Sequence, residues 1–226
     1  MNAGIAYENQ CGTRYDAVNG SEVAVPGSAN SVANQRSVGI LVFPEVEVLD
    51  FCGPFEVFAT ASEGRERLFA VTIVGETTDV IACRGGLLVK PNVSVADSPQ
   101  FDLIVVPGGF GTRTEIDNPV IIDWIRSQHA ATEITTSVCT GALLLAKAGL
   151  LDDLPVTTHW AAFDELLGHF PHLQTDATRR VIDTGDIVTS AGVSAGIDMA
   201  LAMVERLHGR PIAEDTARGM EYDWRV

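Results

Sequence analysis

Three short strand-like runs recur along the chain, and each breaks into a loop within a few residues. They are Val38-Gly-Ile-Leu-Val-Phe43, Phe101-Asp-Leu-Ile-Val-Val-Pro107 and Glu133-Ile-Thr-Thr-Ser-Val138. The first two are apolar enough to suit strands buried on both faces, and the third is rich in β-branched residues. Helical spacing fills the gaps between them. Residues 48–61 carry Leu49, Phe55, Val57 and Phe58, with Pro54 early in the stretch. Asn118-Pro119 opens a helix through Gln128, with Pro119 near its first position. Residues 141–148 form a short helix closed by Gly149. Further helices are expected over residues 160–167, 195–207 and 212–220, the second with Ile197, Leu201 and Val204 on one face. Strands are expected over 68–74 and 156–158. Hairpins are expected over 81–89, around Gly85-Gly86, and over 179–189, around Thr184-Gly185-Asp186. Buried strands alternating with helices imply an α/β fold, a mostly parallel central sheet with helices on both faces. Ligands bind outside the carboxyl ends of such strands. That rule selects three segments: 44–50, 107–111 and 137–141.

The chain of 226 residues is expected to hold one domain, over residues 38–226. Residues 1–37 are rich in Asn, Gly, Ser and Ala with little apolar periodicity, and read as a flexible segment. Thirty acidic against fifteen basic residues leave a net charge of −15. That opposes a nucleic-acid partner, which needs a basic footprint, and equally an anionic membrane surface. The N-terminus has no secretory pattern, and no apolar run reaches the length of a membrane span. Cys11, Cys52, Cys83 and Cys139 are far apart, with neither zinc nor disulfide spacing, so a reducing cytoplasm is the expected home.

Ser137-Val-Cys139-Thr-Gly141 is the sharpest chemical feature. A buried strand ends, a cysteine follows, and a helix begins at once: the context of a nucleophile elbow with Cys in place of Ser. The helix start is expected to favour the thiolate and lower the Cys139 pKa. The ordinary alternative is a buried structural cysteine. Asp50, in the loop after the first strand, would be pushed towards its protonated form beside a thiolate. Glu45 and Glu47 are rivals in the same loop, and spacing does not choose among the three. Gly108 and Gly109 offer backbone N–H groups for a developing anion, although such a pair is more often only a turn. His159, at a strand end, suits either an acid–base role or a structural one. No His and carboxylate cluster has metal spacing. Cys52, two residues after Asp50, is weighed as a resolving thiol for oxidised Cys139.

These segments together resemble the ThiJ/PfpI superfamily, a class I glutamine amidotransferase-like group. The likeness rests on Phe43-Pro-Glu-Val46, Leu49-Asp50, Gly53-Pro54, Pro107-Gly-Gly109, Thr136-Ser-Val-Cys-Thr-Gly141, Ala148-Gly-Leu-Leu151, Thr157-Thr-His-Trp160, Ala195-Gly-Ile-Asp198 and Glu221-Tyr222. It implies a flavodoxin-like three-layer sandwich. Within the superfamily the chain is most similar to the isocyanide hydratase branch. That implies an enzyme in which Cys139 is the nucleophile, Asp50 its paired acid and Thr140 a substrate-orienting neighbour, so the resemblance selects Asp50 over Glu45 and Glu47. The implied substrate is a small isocyanide, with no metal or organic cofactor, and the implied assembly is a homodimer. Glyoxalase, deglycase or amidase-like chemistry on the same scaffold is the first rival, and a redox sensor is another. Sensor domains of AraC-type regulators resemble the same segments. That rival is opposed by the acidic charge and by the expectation that no helix-turn-helix domain follows Val226.

Overall fold

The first apolar run forms strand β1 (Arg36–Leu41), and the next segment forms helix α1 (Val48–Thr60). The computed structural model describes residues 35–224, so the flexible segment expected over residues 1–37 lies outside the described residues as far as residue 34. β1 starts at Arg36, two residues before the apolar run. A hairpin of β2 (Ser62–Glu63) and β3 (Glu66–Arg67) leads into β4 (Phe69–Gly75). A second hairpin pairs β5 (Ile81–Ala82) with β6 (Leu88–Val89) around the expected Gly85-Gly86 turn. Next come β7 (Val93–Ser94), β8 (Leu103–Val106), α2 (Thr112–Glu115), α3 (Pro119–His129), β9 (Ile134–Val138) and α4 (Gly141–Lys147). The chain continues through β10 (Pro155–Val156), α5 (Phe163–His169), β11 (Gln174–Thr175), β12 (Val181–Asp183) and β13 (Ile187–Ser190). It closes with α6 (Ala195–His208) and α7 (Arg210–Gly219).

Seven strands form one sheet in the order β12-β13-β9-β8-β1-β4-β7, parallel except for β12. The chain lays β4 and β7 on one side of β1, then returns to lay β8, β9 and β13 on the other. That reversal opens a crevice at the carboxyl ends of β1 and β8, where ligands of open α/β sheets bind. Every residue of β8 and β9 is buried, as strands covered on both faces require. On one face α1 packs against α6 at a close crossing. A Cβ added to Gly53 would lie 2.9 Å from Ile197, and one added to Gly196 would lie 3.3 Å from Pro54. α3 and α4 pack together elsewhere, with α4 against β8 and β9. The result is the flavodoxin-like α/β sandwich. Among the described residues no helix is long and apolar enough to cross a membrane.

Three local expectations shift. Pro54 lies inside α1, beyond its first turn, so the carbonyl of Asp50 four residues earlier has no N–H donor from that position. The helix expected from Trp160 starts at Phe163. His159 captures the preceding turn, taking the Ala161 N–H on Nδ1 at 3.2 Å and the Ala162 N–H on its carbonyl at 2.8 Å. The strand expected over 156–158 stops at Val156 and pairs with β11 outside the main sheet. Thr157 and Thr158 spend their hydroxyls on the carbonyls of Arg179 and Cys139 instead.

Candidate active site

Cys139 sits between β9 and α4 with φ 57°, a left-handed conformation that costs a non-glycine residue roughly 1–3 kcal/mol. The surroundings hold it there. Its N–H donates to the carbonyls of Ser190 and Ala191, each at 3.1 Å. Its carbonyl accepts the Thr158 hydroxyl at 2.7 Å. Gly141 lets α4 start against the end of β8, because a Cβ there would lie 2.1 Å from the Val106 carbonyl oxygen. A strand, a turn at Cys139 and a helix thus follow one another in the order read from the sequence.

Asp50, in the first turn of α1, is fully buried. Its Oδ2 accepts the Gly108 N–H at 2.9 Å, while Oδ1 is buried with no hydrogen-bond partner among the described residues. With Oδ2 engaged by a donor, Oδ1 is the oxygen left to carry a proton. Burial raises the Asp50 pKa from 3.8 to about 7, against the opposing pull of the Gly108 N–H. The Glu47 charge adds to the rise, and hydrogen bonding with Cys139 opposes it. The upward direction expected for Asp50 thus has a different leading cause: desolvation rather than a neighbouring thiolate.

The thiol itself overturns an expectation. Burial first, and the Asp50 charge second, push the Cys139 pKa up to about 12. The Thr140 and Val193 backbone groups and the Thr140 side chain act the other way but do not prevail. A start of one short helix does not outweigh the loss of water around a sulfur that is only 7% exposed. Two adjacent buried negative charges repel, so the pair gives up its first proton near pH 7 and above that holds the remaining one well into the alkaline range, as a property of the pair.

Gly108 and Gly109 also depart from expectation. Neither N–H is free for an anion: Gly108 donates to Asp50, and Gly109 donates to the Thr140 hydroxyl at 3.0 Å. Their lack of a side chain is what matters. A Cβ on Gly108 would lie 2.5 Å from the Thr140 nitrogen and 2.9 Å from Asp50 Oδ2. Thr140 is further tied to Thr112, whose hydroxyl lies 3.2 Å away. The residue that sequence reasoning missed is Val193, whose backbone lies near both Cys139 and Asp50 and favours their charged forms. It has φ 53°, an outlier for a β-branched residue. A backbone donor leaves no trace in side-chain identity; the only signal was the run of small residues in Ser190-Ala-Gly-Val-Ser-Ala195.

A cavity of about 360 Å³ opens over Cys139 and Thr140, bounded by Glu47, Arg84, Phe110 and Val193. His159 and Gly109 also line it. His159 Nδ1 accepts the Ala161 N–H, so the imidazole carries its proton on Nε2, and no hydrogen bond joins it to Cys139 or Asp50 among the described residues. Of the three rival carboxylates, only Asp50 meets the thiol. Glu47 pairs with Arg84 at 2.7 Å on the cavity wall, and Glu45 acts on Cys83. Cys52 is not among the groups acting on Cys139; its charge acts on Cys83. Among the described residues no group of three or more His, Cys, Asp or Glu side chains is arranged to hold a metal ion.

Residues 36–206 match the model of the DJ-1/PfpI family. The chain belongs to the DJ-1/PfpI family. It is 38% identical to an isonitrile hydratase of Pseudomonas putida, over 82% of this chain and 78% of that one. A ThiJ/PfpI family protein from Pseudomonas syringae superposes with a TM-score of 0.76 at 30% identity, over 85% of this chain and 77% of that one. The HTH-type transcriptional regulator CdhR of Pseudomonas aeruginosa is 27% identical over 76% of this chain, which spans only 51% of the regulator. The DJ-1/PfpI scaffold thus serves both an enzyme and a regulator among these relatives.

Proposed function

We propose that the protein is an isocyanide hydratase-like lyase that converts an isocyanide and water into an N-substituted formamide. The observation that carries this reading is the buried Asp50–Cys139 pair, in which a carboxyl raised to about 7 faces a thiol at the end of β9. The likeness to an isonitrile hydratase supports the substrate class.

The chemistry follows from one shared proton. An isocyanide carbon accepts both a nucleophile and a proton. The Cys139 sulfur attacks it while Asp50 takes up the thiol proton and passes it to the same carbon through Oδ1. A C–S and a C–H bond form, giving a thioimidate. Water then adds to the thioimidate carbon, the C–S bond breaks, and the formamide leaves with the thiol restored. Dividing the hydration into two steps is what a covalent nucleophile contributes. A thiol that rests protonated is no obstacle, because its base is adjacent. Thr140 and Val193 hold the sulfur and carboxyl in register, and the apolar part of the cavity wall takes the substituent.

The test is formamide production from a simple alkyl or aryl isocyanide by the purified protein, with Cys139→Ala as control. No formamide from any member of such a panel, with glyoxal-type, glycated or amide substrates turned over instead, would move the reading to another cysteine chemistry. The proposal extends to one catalytic domain over residues 38–226, working as a cytoplasmic homodimer; light scattering reporting a monomer at micromolar concentration rejects the dimer.

A further inference from the structure

We propose that the substrate cleft continues from Cys139 to an anion subsite at Arg179, so that the isocyanide taken by this protein carries a carboxylate on its substituent. The isocyanide half rests on the hydration reading; the anion half stands on its own observations.

The cavity over Cys139 shares His159 and Val193 with a second cavity of about 430 Å³, which runs along Thr157, Trp160, Phe163 and Arg179. A ligand reaching past His159 therefore enters the second space. The charges lining the two spaces run against the charge of the molecule. Arg84, Arg113, Arg179 and Arg180 face a single lining carboxylate, Glu47, in a chain of net charge −15. Positive charge along a cleft wall raises the local concentration of anions, here through side chains that are themselves exposed.

Three of these arginines are already committed. Arg84 pairs with Glu47 at 2.7 Å, Arg113 with Glu165, and Arg180 with Asp198 and the Ser194 hydroxyl. Arg179 has no ion pair among the described residues. Its acidic neighbour Asp176 feels the Arg179 charge but directs Oδ1 to the Thr178 N–H at 2.9 Å and hydroxyl at 2.6 Å. The Arg179 carbonyl accepts the Thr157 hydroxyl at 3.0 Å, which fixes its backbone in the cleft wall. An exposed guanidinium at the cleft mouth, with no direct ion pair among the described residues, offers the planar fork that matches a carboxylate.

Protection of Cys139 from iodoacetamide measures binding without requiring turnover. The probes are N-formyl-γ-aminobutyrate and its neutral primary amide, each mimicking a formamide product. The carboxylate is expected to protect at roughly tenfold lower concentration than the amide, the size of one charge-assisted contact in a partly open cleft. Arg179→Gln is expected to abolish that difference, and Arg179→Lys to restore part of it. Equal protection by the two probes in the wild type, no protection by either, or an equal weakening of both by Arg179→Gln overturns the subsite. Turnover of γ-isocyanobutyrate and its methyl ester reads the other half separately. Preference for the acid supports the whole proposal. Hydration of neither, with the protection difference intact, removes the hydration reading and leaves the anion subsite standing.

Discussion

Two aspartates at opposite ends of the same sheet show what burial does to a carboxyl group. Asp102 lies at the amino end of β8, exposed, where its Oδ2 accepts the Ser37 N–H at 2.7 Å and the Ser37 hydroxyl at 2.8 Å. Nearby, Arg36 and Glu133 pair at 2.9 Å, partly exposed. Asp50 lies beyond the carboxyl end of β1, fully buried, with one oxygen on Gly108 and the other unpartnered. The amino end spends its polar groups on holding strands in register. The carboxyl end withholds solvent and partners from a carboxyl and a thiol, and keeps Cys139 and Val193 at positive φ to do so. Under the proposed reading, reactivity comes from what is denied to the groups as much as from what touches them.

The largest expected break in this contrast is in turnover. Asp50→Asn keeps the shape but removes the transferable proton, so hydratase activity is expected to fall by about 10²–10⁴-fold, the range of general acid–base contributions. Cys139 stays alkylatable in that variant. Wild-type turnover by Asp50→Asn would remove the acid from the mechanism.

The coupled pair gives the next effect. Plotted against pH, iodoacetamide alkylation of Cys139 is expected to rise in two steps, the first near 7 as the pair loses its first proton and the second far into the alkaline range. Asp50→Asn leaves one step, at lower pH than the wild-type second step because the Asp50 charge no longer raises the thiol. A single step at the same pH in both proteins would mean the two groups do not interact.

Stability should move the opposite way to activity. The Asp50 pKa is raised on folding from 3.8 to about 7, so the folded state binds the proton more tightly. Its favourable contribution is fully present below about pH 4 and is lost as pH rises through about 7. Above that pH the buried carboxylate penalises the fold by a few kcal/mol, at about 1.4 kcal/mol per pKa unit. Asp50→Asn is therefore expected to raise the Tm at pH 8 and leave it nearly unchanged at pH 4. A lower Tm at pH 8 would contradict the burial cost. At the amino end the change is smallest: Arg36→Gln should alter stability by under about 1 kcal/mol, with turnover intact, as partly exposed pairs do. A large loss there would erase the distinction between the two ends.

Much of the fold was legible because strand and helix periods differ, the β1 and β8 runs are largely apolar, and β9 is rich in β-branched residues. The turn at Cys139 was legible because a strand pattern ends at Val138 and a helix pattern begins at Gly141. Asp50 was not separable from Glu45 and Glu47 by spacing, since side-chain direction in that loop depends on where α1 begins and on the glycine beside it. The sign of the Cys139 shift was not legible either: dipole and burial oppose each other, and only packing says how much water remains. Gly108 and Gly109 misled for a related reason. An N–H pair looks free until its acceptors are located, and here Asp50 and Thr140 are those acceptors. The late start of α5 and the role of Val193 are backbone events, decided by tertiary contacts of His159 and of the turn before α6.

The unpartnered Oδ1 of Asp50 has one more consequence, for the end of the catalytic cycle. Under the hydration reading, and above about pH 7 where Asp50 is ionised and Oδ1 accepts, an isocyanide has no N–H to offer that oxygen, whereas the formamide made from it has one. A buried acceptor left unmet by one ligand and met by another discriminates strongly between them. The product should therefore outcompete the substrate for the resting site. Turnover would then be paced by formamide departure, seen as an inhibition constant for product below the KM for substrate and as a burst in the first cycle.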